Sequence, residues 1–410
     1  VDKKRVSNIV ACTLITGGGQ GFLNNTLNIY IQPVSESLGI LRSEFSVYST
    51  IIMLTTVSMA PIYARLYGRK NLKSIMILSM ILCVLATFGF SISTQAWHFY
   101  VFAIMFGLGF NGVNLTVAAN IITQWFDKRK GLATGIAFAG SGFFASAMVA
   151  VLGEVIEQYG WRVSYRVAGI SGTIVLLIAI LVFLKTNPTQ DDLIGNDNEF
   201  EVGKTSETLI KGYAYKDAIK TPMFYSLLIG GFLLSTAVQC GIINMTPAFV
   251  DAGHQYDLVT KAASVTLLVL GFAKIFIGRF NDFCGMVPSL IIFASCTGSS
   301  FIFLLFPTTQ FSLFVTAVLI GIGAGGFQVT LGLFVRDIFG NRDFAKIFAI
   351  FNMFQLMGTA TGAIVPSVVY DTTGSYIIMW QLLIGLTILS VALYYNAYKI
   401  SKKTTYENIL

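Results

Sequence analysis

Apolar segments of about twenty residues recur from one end of this 410-residue chain to the other. A helix rises about 1.5 Å per residue, so roughly twenty apolar residues cross the ~30 Å hydrocarbon core of a bilayer. Lipid offers no water to unpaired backbone N–H and C=O groups, which restricts such segments to helices. Twelve spans follow, at about 8–32, 44–66, 72–92, 97–123, 131–153, 162–184, 222–250, 258–281, 287–306, 310–336, 343–368 and 374–398. Composition agrees with this reading: 11% of residues are charged and 55% hydrophobic, against about 25% charged in a soluble domain. A soluble fold, a single-anchor protein and a disordered chain are excluded. The expected class is an all-α polytopic membrane protein, with no signal-peptide pattern after Val1–Arg5.

The net charge of +7 would suit a nucleic-acid partner, but its distribution points elsewhere. Of the 27 Lys and Arg, 22 fall in one alternating set of loops and tails. The opposite set holds Arg42, Arg162, Arg166 and Lys261, and Lys274 lies inside a span. This is the positive-inside bias. It predicts a cell-membrane protein with both termini cytoplasmic, surrounded by lipid and with no nucleic-acid partner. The five Cys are scattered and show no C-x-x-C spacing, so no metal, disulfide framework or cofactor is expected.

The loop at 185–221 is long, polar and central, and divides the chain into bundles at 1–184 and 222–410. A constant offset of 214 residues aligns these halves. Pro33 falls on Pro247, Gly39 on Gly253, Arg65 on Arg279, and Gly107, Gly109 and Gly112 on Gly321, Gly323 and Gly326. Asn114 falls on Gln328, one amide on another. Small residues spaced for close helix approach in lipid recur at Gly131/Gly135, Gly321/Gly325 and Gly358/Gly362.

Parallel six-helix repeats of this kind resemble the major facilitator superfamily, whose site lies near the midplane between the halves. Three stretches, IYIQPVSESLGILRSEFSVYS (29–49), ITQWFDKRKGLATGIAFAGSG (122–142) and TPMFYSLLIGGF (221–232), resemble its oxalate/formate-antiporter and monocarboxylate-transporter branch. The resemblance implies twelve helices in two repeats and transport by alternating access. The superfamily's loop 2–3 gating motif is similar to ARLYGRKNLK (64–73), where Arg65 and Arg69 fit but Gly68 stands in place of the Asp. The repeat copy GRFNDFCG (278–285) keeps that Asp as Asp282.

Lys274 stands out. It sits near the middle of 258–281, eight residues, or about 12 Å, from Asp282, beyond comfortable snorkelling. A charge there costs from about 2.5 kcal/mol upward and normally meets a partner or a wet cavity. Every Asp and Glu lies in a loop, a tail or an end turn. Either backbone carbonyls hold the ammonium, or it faces a cavity where an anion binds. The resemblance favours the second, since Lys274 matches the helix-8 cation that binds substrate carboxylate in that branch.

Gln20, Asn24, Asn28 and Gln32 recur every four residues in the first span, with Asn25 beside them. On an α-helix that spacing makes one polar face, either an interhelical seam or a cavity wall. Asn111, Asn114, Gln239, Gln328, Asn352 and Gln355 extend the set. Two departures from the branch matter. No second cation stands near Phe351 and Asn352, which disfavours a dianion. Asn25 and Leu270 replace the Lys and Asp that the resemblance links to proton coupling in the animal monocarboxylate branch.

The expected function is a secondary or exchange transporter of a small organic monoanion, with a counter-substrate in the exchange case and a monomeric assembly. A proton-coupled exporter or carrier of a neutral or drug-like solute with the same fold is the alternative. A membrane enzyme lacks a nucleophile–base pair or metal ligands within the spans, and no P-loop is present for an ATP-driven pump. The topology has a direct test. An Asn198→Cys variant should react with impermeant thiol reagents from the cytoplasmic side alone, and labelling from outside intact cells would overturn the twelve-span map.

Overall fold

The computed structural model describes residues 3–67, 71–126, 130–185, 212–340 and 342–403, apart from a few side chains, those of Gln328 and Asp282 among them. Eleven helices among the described residues are long and apolar enough to cross a membrane. They are α2 (Arg42–Leu66), α3 (Leu72–Ile92), α4 (Ala96–Phe110 with Leu115–Trp125), α5 (Lys130–Tyr159) and α6 (Trp161–Leu177 with Ile178–Phe183), followed by α7 (Pro222–Asp251), α8 (Tyr256–Cys284), α9 (Met286–Leu304), α10 (Gln310–Phe339), α11 (Phe344–Thr373) and α12 (Ile377–Lys403). The first segment, α1 (3–38), is the twelfth and is broken. Of the linker expected at 185–221, residues 186–211 lie outside the described residues, as does Arg69.

The break in α1 has a local cause. Its α-helical start, Lys3–Ile15, runs into Thr-Gly-Gly-Gly-Gln-Gly, where low helix propensity lets the turn widen. The chain continues as a π-helix over Thr16–Asn24, closed by Asn25 N–H donating to Gln20 O at 2.8 Å. A short 3₁₀ turn and the helix Ile31–Leu38 complete it. Gly39 ends the segment at φ +64°, and its repeat partner Gly253 follows α7 at φ +93°. The left-handed region explains why both copies keep glycine.

The other repeated glycines mark repeated close approaches. A Cβ on Gly107 would meet Ile52 O and Thr55, and one on Gly321 would meet Thr266 O and Val269. Those neighbours are themselves 214 positions apart. Likewise, Gly109 and Gly323 each abut the carbonyl of a residue 214 positions from the other's, Ser79 and Phe293. The duplication therefore preserves helix packing as well as sequence. The halves also meet on matching elements, α5 on α8 and α2 on α11. Asn28 Nδ2 donates to Ile242 O, 214 positions away, at 3.2 Å. A residue touching its own repeat equivalent lies at the pseudo-two-fold axis.

The apolar core shows where the two halves are joined. At the Arg42 end, one cluster runs through both, taking in Phe45, Phe99 and Leu152 with Phe249, Leu267 and Trp380. At the Lys3 end there are two separate clusters, one per half. The described end of the linker is pinned to the second half there, with Tyr213 N–H on Phe339 O and Tyr215 N–H on Asp343, both at 2.9 Å. The Tyr215 N–H and the Lys346 ammonium hold the Asp343 carboxyl below the usual carboxylate range.

If the glycines serve matched contacts, Gly107→Val and Gly321→Val should each destabilise the protein by about 1–3 kcal/mol through overpacking. The check is the melting temperature of detergent-purified protein. Unchanged melting in both variants would show that these approaches are not tight.

Candidate functional site

Lys274 lies in the second half of α8, nearer its Cys284 end, and is buried, 4% exposed. It stands opposite a short run of small residues in α5, Gly140-Ser141-Gly142. A Cβ on Gly142 would fall 2.6 Å from Gly271 Cα and 2.7 Å from Leu267 O, so α5 and α8 cross nearly backbone to backbone. Gly140 abuts Thr13 O of α1. Ser141 thus stands where α1, α5 and α8 meet. The Lys274 ammonium donates to Ser141 Oγ at 3.1 Å, across the line between the halves. None of the ion pairs among the described residues involves Lys274.

The amides of α1 reach the same point in a register different from the expected one. Because this stretch is a π-helix, the residue above Gln20 is five positions on. Gln20 Nε2 donates to Asn25 Oδ1 at 2.8 Å, and Asn25 Nδ2 donates to Ser141 O at 3.2 Å. The four-residue face through Gln20, Asn24, Asn28 and Gln32 is therefore not one stripe. Asn24 is half-buried, Asn28 sits at the inter-half contact to α7, and Gln32 bonds Glu36 at 2.8 Å.

The remaining amides divide in two. Asn111 and Asn114 make the break in α4: Asn114 Oδ1 accepts from Thr116 N–H at 2.8 Å as a helix cap, and Asn111 Nδ2 donates to Thr56 O of α2 at 2.7 Å. Gln239 and Gln355 are half-buried on α7 and α11, and Asn352 is exposed. The side chains of Gln328 and Asp282 lie outside the described residues, and Arg65 is exposed. Sequence reasoning noted Asn25 only in passing and missed Ser141. Its signal was a hydroxyl flanked by two glycines within a span.

It also missed Arg42, counted as a loop charge. Arg42 is buried at the end where the core joins the halves. It grips Asp251 of α7 bidentately, at 2.6 and 2.8 Å, donates to Tyr376 Oη at 3.2 Å and stacks over the Tyr370 ring at 4.3 Å. Beside it, Ser43 N–H donates to Asp371 at 2.8 Å, and the Ser46 and Ser367 hydroxyls are 3.0 Å apart. These contacts shut the bundle at that end.

Two bundles joined at one end, with polar groups meeting between them, suit a carrier that opens alternately to either side. The family model described as Major Facilitator Superfamily matches residues 9–270 and 253–407. The chain belongs to the Major Facilitator Superfamily. It is 22% identical to monocarboxylate transporter 2 of Homo sapiens over 390 residues, covering 91% of this chain and 81% of that one. It is also 22% identical to the oxalate:formate antiporter of Oxalobacter formigenes over 199 residues, covering 48% of this chain and 44% of the antiporter. Among solved structures, an inward-facing, unoccupied bacterial homologue of the human lysosomal transporter Spinster superposes with a TM-score of 0.70 at 17% identity, covering 98% of each chain. A nucleoside transporter superposes with a TM-score of 0.71 at 12% identity, covering 96% of this chain and all of that one. These structures share the superfamily fold of twelve helices in two repeats. The chain is a membrane transporter and not an enzyme.

The Arg42 cluster has a measurable consequence. Arg42→Gln leaves Asp251 without its cation and removes the stacking on Tyr370, which should release that end of the bundle. In a background with the native cysteines replaced, the labelling rate of Ser46→Cys by an impermeant thiol reagent should rise several-fold when Arg42→Gln is added. An unchanged rate would mean that the apolar core alone keeps the end shut.

Proposed function

We propose that this superfamily member exchanges small organic monoanions, with Lys274 as the residue that binds the substrate's carboxylate. The observation that carries this reading is a buried ammonium at the meeting of the halves, joined to a hydroxyl and to none of the described carboxylates. A charge in such a place is costly unless it is neutralised. An incoming carboxylate neutralises it. A charge-assisted hydrogen bond contributes about 1.5–3 kcal/mol, or roughly 10- to 100-fold in affinity. The relatives named as a monocarboxylate transporter and an oxalate:formate antiporter support an anionic substrate. A single cation supports one carboxylate over two.

The same charge argues for exchange. An empty carrier would have to enclose a bare ammonium while changing sides, whereas a loaded one encloses a neutral pair. Asn25 and Leu270 provide no titratable partner for Lys274, which supports coupling to a counter-anion and not to a proton. With the Arg42 end shut, the site opens toward the Lys3 end, the cytoplasmic side by the positive-inside bias. Gln239, Gln328, Asn352 and Gln355 on α7, α10 and α11 would contact the rest of the substrate, and Arg65, Arg69 and Asp282 would act in the opposite gate.

The test uses purified protein in proteoliposomes. Internal monocarboxylate should drive uptake of labelled monocarboxylate with no imposed pH difference. Lys274→Gln, checked for folding by monodisperse elution, should abolish both uptake and carboxylate-induced thermal stabilisation, while Lys274→Arg keeps part of each because the charge survives in altered geometry. Stabilisation of the Gln variant equal to the parent's would sink this reading and favour a neutral solute.

A further inference from the structure

Each hydrogen-bond donor in the polar chain around Lys274 has a fixed direction. Gln20 donates to Asn25, Asn25 donates to the Ser141 carbonyl, and the Ser141 hydroxyl gives its proton to Phe138 O at 2.7 Å. With its proton committed there, Ser141 Oγ can meet Lys274 only as an acceptor. An ammonium has three N–H donors. One is held by Ser141, and the other two have no acceptor among the described residues. The helix geometry fixes this arrangement, because Gly140 and Gly142 seat Ser141 against α1 and α8.

We propose that Ser141 is the positioning residue of the anion site: it holds one ammonium donor of Lys274 across the two halves and presents the other two to a single two-oxygen carboxylate. This inference rests on Lys274 being the anion-binding cation. It adds that the site's preference for one carboxylate is set by a hydroxyl on the opposite half, backed by Asn25 and Gln20. Removing the hydroxyl frees the lysine stem to rotate, so the ammonium is no longer fixed where the carboxylate arrives. Placing a carboxylate at position 141 supplies the anion internally and occupies the ammonium.

The experiment measures acetate and pyruvate binding, by thermal shift and titration, to the full-length chain carrying substitutions at Ser141. Ser141→Ala should raise the Kd for both probes roughly tenfold, as expected for loss of a hydrogen bond to a charged group, while the melting temperature without ligand stays near the parent's. Ser141→Thr keeps the hydroxyl and should restore parental Kd. Ser141→Asp should abolish anion-induced stabilisation yet melt no lower than the parent without ligand. Adding Lys274→Gln to Ser141→Asp should then lower melting sharply, because the new carboxylate loses its partner. A serine that merely packs would show neither the Thr rescue nor this coupling. The proposal is overturned if Ser141→Ala binds both probes like the parent while Lys274→Gln binds neither. Parental binding by Lys274→Gln instead overturns the anion-site reading itself, whatever Ser141 does. Should Ser141→Asp fail to fold, the Ala and Thr variants decide the question by their Kd values alone.

Discussion

The crossing of α5 over α8 at Gly142 and Gly271 is the contact on which the proposed anion site depends. In lipid, helices gain little from hiding apolar surface from each other, and packing rests on close approach and interhelical hydrogen bonds. Two facing glycines bring the backbones together, and that proximity sets Ser141 Oγ 3.1 Å from the Lys274 ammonium. A larger side chain at either glycine would push the helices apart and separate the two polar groups. The Ser146–Ser264 hydroxyl pair, at 3.0 Å, continues the same seam toward the Arg42 end.

The amides at the two helix breaks follow one constraint, that a buried polar group costs free energy unless it is hydrogen-bonded. Asn114 satisfies it as a helix cap, Asn111 by bonding the α2 backbone, and Gln20 and Asn25 through the π-turn. The departures from a straight α-helix in α1 and α4 both coincide with amides, whereas the π-turn of α6 at Ile178–Phe183 is apolar. The break in α1 brings its amides to Ser141, and the break in α4 is closed by its own asparagines. An irregular backbone in a membrane is tolerated where it is buried in protein or lines a cavity, and the two breaks meet each other where Gly19 abuts Val113 O.

The two ends of the bundle are held in different ways. At the Arg42 end a continuous apolar core and a bidentate ion pair, reinforced by Tyr370 and Tyr376, bind the halves together. At the Lys3 end the cores are separate. Ion pairs and hydrogen bonds suit a closure that must also open, since water replaces each partner once the halves part, which an apolar core cannot match. The pairing of α5 with α8 and of α2 with α11 keeps the halves in register on both sides of the axis through Asn28 and Ile242.

Much of the fold was legible in one dimension. Span length reports the bilayer thickness, the 214-residue offset reports the duplication, and Lys274 announces itself because no apolar segment carries a charge without a cause. These are properties of the chain and its solvent. Other features depend on three-dimensional register. The amide face of α1 was read on a period of four, and the glycine run changed that period to five, which brought Asn25, and not Asn24, to Gln20. Asn111 and Asn114 looked like site residues and serve at least as much to break and cap α4. Arg42 looked like a loop charge because Asp251 is 209 positions away, and Ser141 looked like a packing residue until α8 was laid across it. Sequence periodicity determines which residues lie in the membrane and which cannot rest there unassisted. The partner each of them finds was decided by how closely helices distant in sequence could approach, a distance set by the glycines at their crossings.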